Sequence, residues 1–107
     1  MTISVLRTAD AWWVATPAGA AKISTSARTT AELLADRDAV RAAAGTDTVP
    51  VADLDLLSPV TTPCRVVAQM TNFASHVEDA GMDPKTIPLT FFRKSSASIS
   101  GPFADIV

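Results

Sequence analysis

Short apolar runs open the chain and alternate with polar turns. Residues 3–6 and 12–15 are rich in β-branched and aromatic side chains and are separated by Arg7-Thr8-Ala9-Asp10, so two short strands are expected. Thr16-Pro17-Ala18-Gly19 is the next turn signal, and Lys22-Ile23-Ser24-Thr25 is read as a third strand. From Thr29 the apolar period becomes helical. Leu33, Val40 and Ala44 form one stripe, widened by Leu34, which predicts a single helix over 29–44. Thr29 and Glu32 have the spacing of a capping box, in which each side chain satisfies a free backbone N–H. Gly45 is expected to end the helix in the left-handed conformation. Val49-Pro50-Val51 and the run 54–57 read as an edge strand or turn leading out.

The pattern changes at 58–63. Two prolines and polar β-branched residues without helical period read as a linker. Beyond it, residues 65–70 read as a buried strand and 72–80 as a turn and short helix stopped by Gly81 and Pro84. Residues 89–92 read as a strand, followed by a serine-rich loop from Lys94 to Ser100, a Gly101-Pro102 turn and an apolar run at 104–107 read as the start of another strand. The expected fold class is α+β. A small α+β domain, 1–57, is followed by the linker 58–63 and by 64–107, read as the front part of a larger, mostly β, roll-like domain that the chain does not complete.

Composition narrows the function classes. At 107 residues the chain holds one full-sized domain at most. Apolar residues at 48% against 19% charged give a globular balance rather than a disordered one. A net charge of −2 argues against a nucleic-acid binder, which would carry a basic stripe. One cysteine forms no internal disulfide, which points to a reducing compartment and a cytoplasmic location. One cysteine and one histidine also leave too few soft ligands for a structural zinc site. No apolar run approaches the ~20 residues of a membrane span, and the N-terminus lacks the pattern of a signal peptide.

Few residues carry chemistry. His76 is the sole histidine, and imidazole suits proton transfer near neutral pH. Asp79, three residues on, would share a helical face with it and could orient it, whereas Glu78 would point elsewhere on a regular turn. The plain alternative is a solvated histidine in a charged turn. Lys94, at the mouth of a strand beside several serines, could hold a carboxylate or a developing oxyanion; its plain alternative is an exposed Arg93-Lys94 pair. The serines lack a nucleophile-elbow setting, and Cys64 reads as an inert core thiol.

In order, the pieces from Val66 to Val107 are Asn72-Phe73, His76 with Asp79, Phe92-Arg93-Lys94, Ser95-Ser96-Ala97-Ser98, Gly101-Pro102 and Asp105-Ile106-Val107. This succession resembles the fumarylacetoacetate hydrolase family, whose members show an Asn-Tyr pair, a His with an acid three positions on, Phe-x-Lys, a serine-rich loop and Gly-Pro. Phe73 stands where the family has tyrosine, Asp79 where it has glutamate, and Met70 where it has glycine. The resemblance implies a carbon–carbon bond hydrolase of aromatic-compound catabolism, acting on a 2-oxo acid or acylpyruvate, or a related hydration, decarboxylation or isomerisation. It implies His76 with Asp79 or Glu78 as the catalytic dyad, with Lys94, Asn72 and Ser96 binding substrate. It also implies a magnesium, manganese or calcium ion whose carboxylate ligands lie outside this chain, so that the 107 residues alone are inactive. The full-length protein is expected to be a homodimer that binds neither nucleic acid nor membrane. The alternative expectation is a non-catalytic interaction module that pairs through open strand edges.

Overall fold

The computed structural model describes residues 2–70, 73–83, 85 and 90–106, and the backbone alone of residues 74, 76 and 77. Expectations resting on Asn72, Pro84, Leu89, Val107 or the His76 side chain lie outside the described residues. The fold class is α+β. The chain divides into two compact units, Met1–Thr62 with Ile99–Val107, and Pro63–Ser98.

In the first unit, β1 (Ser4–Arg7), β2 (Trp12–Thr16), β3 (Gly19–Lys22) and β4 (Thr48–Val49) form an antiparallel sheet in that order. β2 shows the period of two that a one-sided sheet requires: Trp12 and Val14 are buried, while Trp13 and Ala15 are half-buried. The third strand starts earlier than expected. A two-residue turn, Pro17-Ala18, brings Gly19 opposite Thr16, and the ladder runs on through Ala20 and Ala21, both fully buried. Alanine is a weak strand former, so propensity points past these residues to Ile23, which instead enters the core.

The expected single helix is two, α1 (Thr30–Ala35) and α2 (Arg37–Ala43). Asp36 breaks them with non-helical φ −99° and ψ 56°, and its carboxylate accepts a 2.8 Å hydrogen bond from the Thr25 hydroxyl. The capping is nearly as expected. The Thr29 hydroxyl accepts from the Glu32 N–H, but the Glu32 carboxylate accepts from the Arg28 N–H, one residue earlier than in a standard box. Gly45 does not take the left-handed conformation; α2 ends through Ala44 in ordinary right-handed geometry, and the Thr46 N–H and hydroxyl both donate to the Ala43 carbonyl.

Leu33 joins Trp12, Val14, Ile23 and Ala43 in the core, with Ile3, Val5, Ala27, Ala39 and Val40 packed against it. Burying a leucine side chain contributes roughly 1.5–3 kcal/mol, and Leu33 is 1% exposed. The Trp12 indole N–H is satisfied by the Ala27 carbonyl at 2.9 Å. After a 3-10 turn at Val51–Asp53, Leu57 makes one antiparallel bridge to Arg7. The proline-rich stretch that follows is tied down. The Thr30 hydroxyl donates to the Pro59 carbonyl, and Thr30 and Thr61 exchange backbone-to-hydroxyl bonds of 3.0 and 2.9 Å. One of these satisfies a free N–H in the first turn of α1.

The second unit holds β5 (Val66–Gln69), α3 (Ala74–Asp79), β6 (Phe91–Lys94) and a 3-10 turn at Ser96–Ser98. β5 and β6 pair antiparallel. The strand expected to be buried is not: on β5 Val67 is 62% accessible and the others are half-buried, on β6 Phe91 is 60% accessible, and the buried residues among those described all belong to the first unit. No strand forms at the described residues 104–106, where Ala104 closes a turn onto Gly101 and Ile106 is exposed. Among the described residues, no helix is long and apolar enough to cross a membrane.

Candidate functional site

The candidate residues of the second unit are positioned by one ribbon and one helix. β-branched residues start β5 and paired phenylalanines start β6, and cross-strand pairing of such side chains is the unit of sheet stability. The register sets Val66 opposite Lys94, Val67 opposite Arg93, Ala68 opposite Phe92 and Gln69 opposite Phe91. A further bond from the Met70 N–H to the Thr90 carbonyl, 2.9 Å, continues the ladder. Lys94 and Phe92 share a face, and the Lys94 ammonium lies 5.8 Å from the Phe92 ring centroid, a cation–π distance.

Between the strands, α3 carries residues 76, 78 and 79. Positions 76 and 79 are one helical turn apart, so their backbone places them on one face, with 78 turned away. Glu78 and Asp79 are both exposed. The helix stops where the Gly81 N–H donates to the Glu78 carbonyl at 2.9 Å, with Gly81 at φ +77°, a conformation glycine takes without penalty.

After β6, the Ser95 hydroxyl accepts from the Ala97 N–H, and the Ser98 hydroxyl donates to the Ser95 carbonyl at 2.6 Å. These two side chains therefore hold their own turn. Ser96 is half-buried in the same 3-10 turn.

A cavity of about 410 Å³ opens at the end of the ribbon, lined by Cys64, Arg65, Val66, Val67, Arg93 and Lys94. Its lining has three cationic side chains and no acidic one, so it favours an anionic ligand. Cys64, expected as a core thiol, is a half-buried free cysteine in this wall. Arg93 is the chain neighbour of Lys94, and both are exposed; Arg65, which residue type alone does not single out, joins them through the β5–β6 pairing. The structure thus brings Lys94 to a basic cavity and sets positions 76 and 79 on one helix of the same unit.

Among the described residues, no group of three His, Cys, Asp or Glu side chains stands close enough to hold a metal ion. No family model matches the chain, and neither a curated protein nor a solved structure matches it.

Proposed function

We propose that these residues are the leading part of an enzyme of the fumarylacetoacetate hydrolase type, cleaving a carbon–carbon bond of an acylpyruvate or related 2-oxo acid. The observation that carries the reading is the basic cavity at the end of the β5–β6 ribbon, in the unit that also holds α3. A 2-oxo acid presents a carboxylate, and Lys94 with Arg65 and Arg93 would hold it there.

His76 would take a proton from water, with Asp79 or Glu78 orienting the imidazole and stabilising its protonated form. The hydroxide so formed adds to the carbonyl carbon. The carbon–carbon bond breaks, its electron pair passes to the 2-oxo acid fragment as an enolate, and the enolate takes up a proton. Lys94 would stabilise the negative charge that develops, and Asn72 and Ser96 would add hydrogen bonds to substrate. Hydration, decarboxylation and isomerisation of a 2-oxo acid each pass through an enolate of their own, which the same cationic side chains would stabilise.

The family chemistry also uses a divalent ion, magnesium, manganese or calcium. The described residues do not supply a centre for it; its ligands would belong to further sequence. The reading also implies a cytoplasmic homodimer in its full-length form.

Acetopyruvate titrated into the 107-residue chain, followed by amide chemical shifts, tests the substrate class. The expected shifts centre on Arg65, Val66, Arg93 and Lys94, and Lys94→Met weakens binding about tenfold, the loss of one charge-assisted contact of about 1.5 kcal/mol. Shifts scattered over the chain and unchanged by Lys94→Met would count against the reading.

A second reading, a non-catalytic module, draws on the exposed Val67, Phe91 and Phe92 of a two-stranded ribbon, since such a ribbon is marginal without a covering partner. It predicts an open frame that stops after codon 107. The enzyme reading predicts a frame that continues into a Glu-x-Glu within a few tens of codons.

A further inference from the structure

The sheet of the first unit has an unfinished edge at β1. β1 is the terminal strand of the order β1-β2-β3-β4. Beyond it, Leu57 makes a single rung: its N–H donates to the Arg7 carbonyl at 2.8 Å, in antiparallel sense. Continued in register, the next rung would set Pro59 opposite Val5. Proline has no N–H to give, and the chain leaves instead for the N-terminus of α1, where Thr30 and Thr61 clamp it. Backbone groups two residues apart on an antiparallel strand face the same side. The Val5 N–H and carbonyl therefore face outward with the Arg7 carbonyl, and among the described residues nothing pairs with them.

This edge runs between two apolar cavities. On the helix side, Ile3, Val5, Leu34 and Val40 line one of about 180 Å³, with the exposed Arg37 and Arg41 in its wall. Leu34 is 62% accessible there, the residue that widened the helical stripe without entering the core. Beside it, Leu6, Leu56, Leu57, Pro59 and Pro102 line another, of about 330 Å³.

We propose that the outer edge of β1 binds an extended, acidic peptide segment of a partner protein by strand addition. An added strand sends alternate side chains to opposite faces. The residue opposite Val5 shares the Val5 face and enters the helix-side cavity, and its neighbours enter the cavity beside Leu6. Main-chain bonds to Val5 supply affinity, and the two cavities supply selectivity for alternating apolar residues. Charge decides the occupant. Arg7, Arg37 and Arg41 surround the edge, so acidic flanks are attracted. A second copy would bring the same three arginines against these and is disfavoured. The site lies in the first unit and uses none of the proposed catalytic residues.

The test is a fluorescein-labelled hexapeptide of alternating valine and threonine ended by two aspartates, titrated into the 107-residue chain by fluorescence anisotropy and by amide chemical shifts. A lysine-ended version serves as control. Saturable binding is expected, with shifts at Val5, Leu34 and Val40 and at least tenfold preference over the lysine-ended peptide. Leu34→Glu, at an exposed position, should weaken binding at least tenfold. Val5→Pro removes the outward N–H on an edge strand, where proline is tolerated, and should do the same. If Val5→Pro fails to fold, Leu34→Glu carries the test alone. Arg37→Glu with Arg41→Glu should invert the preference toward the lysine-ended peptide. Absence of binding, shifts confined to other residues, or concentration-dependent self-association that moves the Val5 and Leu34 amides would each overturn the proposal.

Discussion

Gly19 is the residue on which the first sheet turns. Its φ of +140° is one that L side chains rarely adopt, and a Cβ built there would stand 2.5 Å from the Val49 carbonyl oxygen, against the backbone of β4. Gly45 differs in both respects, having no left-handed backbone and nothing within 4 Å of its Cβ position. The matched pair Gly19→Ala and Gly45→Ala separates the two cases. Urea unfolding should show Gly19→Ala less stable by about 1–3 kcal/mol, from backbone strain, before any cost of moving β4. Gly45→Ala should be unchanged or slightly more stable, since alanine there only narrows the unfolded ensemble. A loss at Gly45 as large as that at Gly19 would contradict the assignment. Sequence alone ranks these glycines the other way, because the position after a helix is the better-known place for a left-handed glycine. What singles out Gly19 is the approach of β4, which is remote in the chain.

At the scale of elements, local patterns were legible and long-range ties were not. The aromatic and β-branched run at 12–15 announces a strand, and Thr29 with Glu32 announces the start of a helix. Thr29→Ala should cost about 0.5–2 kcal/mol in the same unfolding measurement, through loss of the bond to the Glu32 N–H; an unchanged midpoint would mean that the cap contributes nothing. The break at Asp36 follows no helix-stop signal, since neither glycine nor proline stands there. It comes with a side-chain bond to Thr25, across the connection from β3. Likewise Ala20 and Ala21 are poor strand formers, yet full burial in the middle of a sheet outweighs their propensity. In the second unit, residue types were enough to single out His76, Asp79, Glu78 and Lys94. Arg93 adjoins Lys94 in the sequence, but the approach of Arg65 required the β5–β6 register, and the exposure of Val67 and Phe91 could not be read from a run of apolar residues.

At the scale of the molecule, the two units differ in what holds them. The first has a sheet, two helices packed on it and a continuous cluster of buried side chains. Among the described residues, the second has a two-stranded ribbon and one helix of six residues, and the large apolar side chains Val67, Phe73, Phe91 and Phe92 are exposed. Such a ribbon gains little from burial by itself. The proposed acid–base dyad and the cationic cavity both belong to this second unit, whereas the β1 edge belongs to the first, so substrate chemistry and peptide binding can be lost separately. The most direct measurement is acylpyruvate hydrolysis by the product of the whole reading frame that contains these residues, assayed with magnesium for the native sequence and for His76→Ala. Turnover by the native protein is expected, with a loss of about 10²–10⁴-fold in kcat for His76→Ala and the fold retained; undiminished turnover in His76→Ala, or hydrolysis by the 107 residues alone, would show that His76 and a metal centre outside these residues do not carry the reaction.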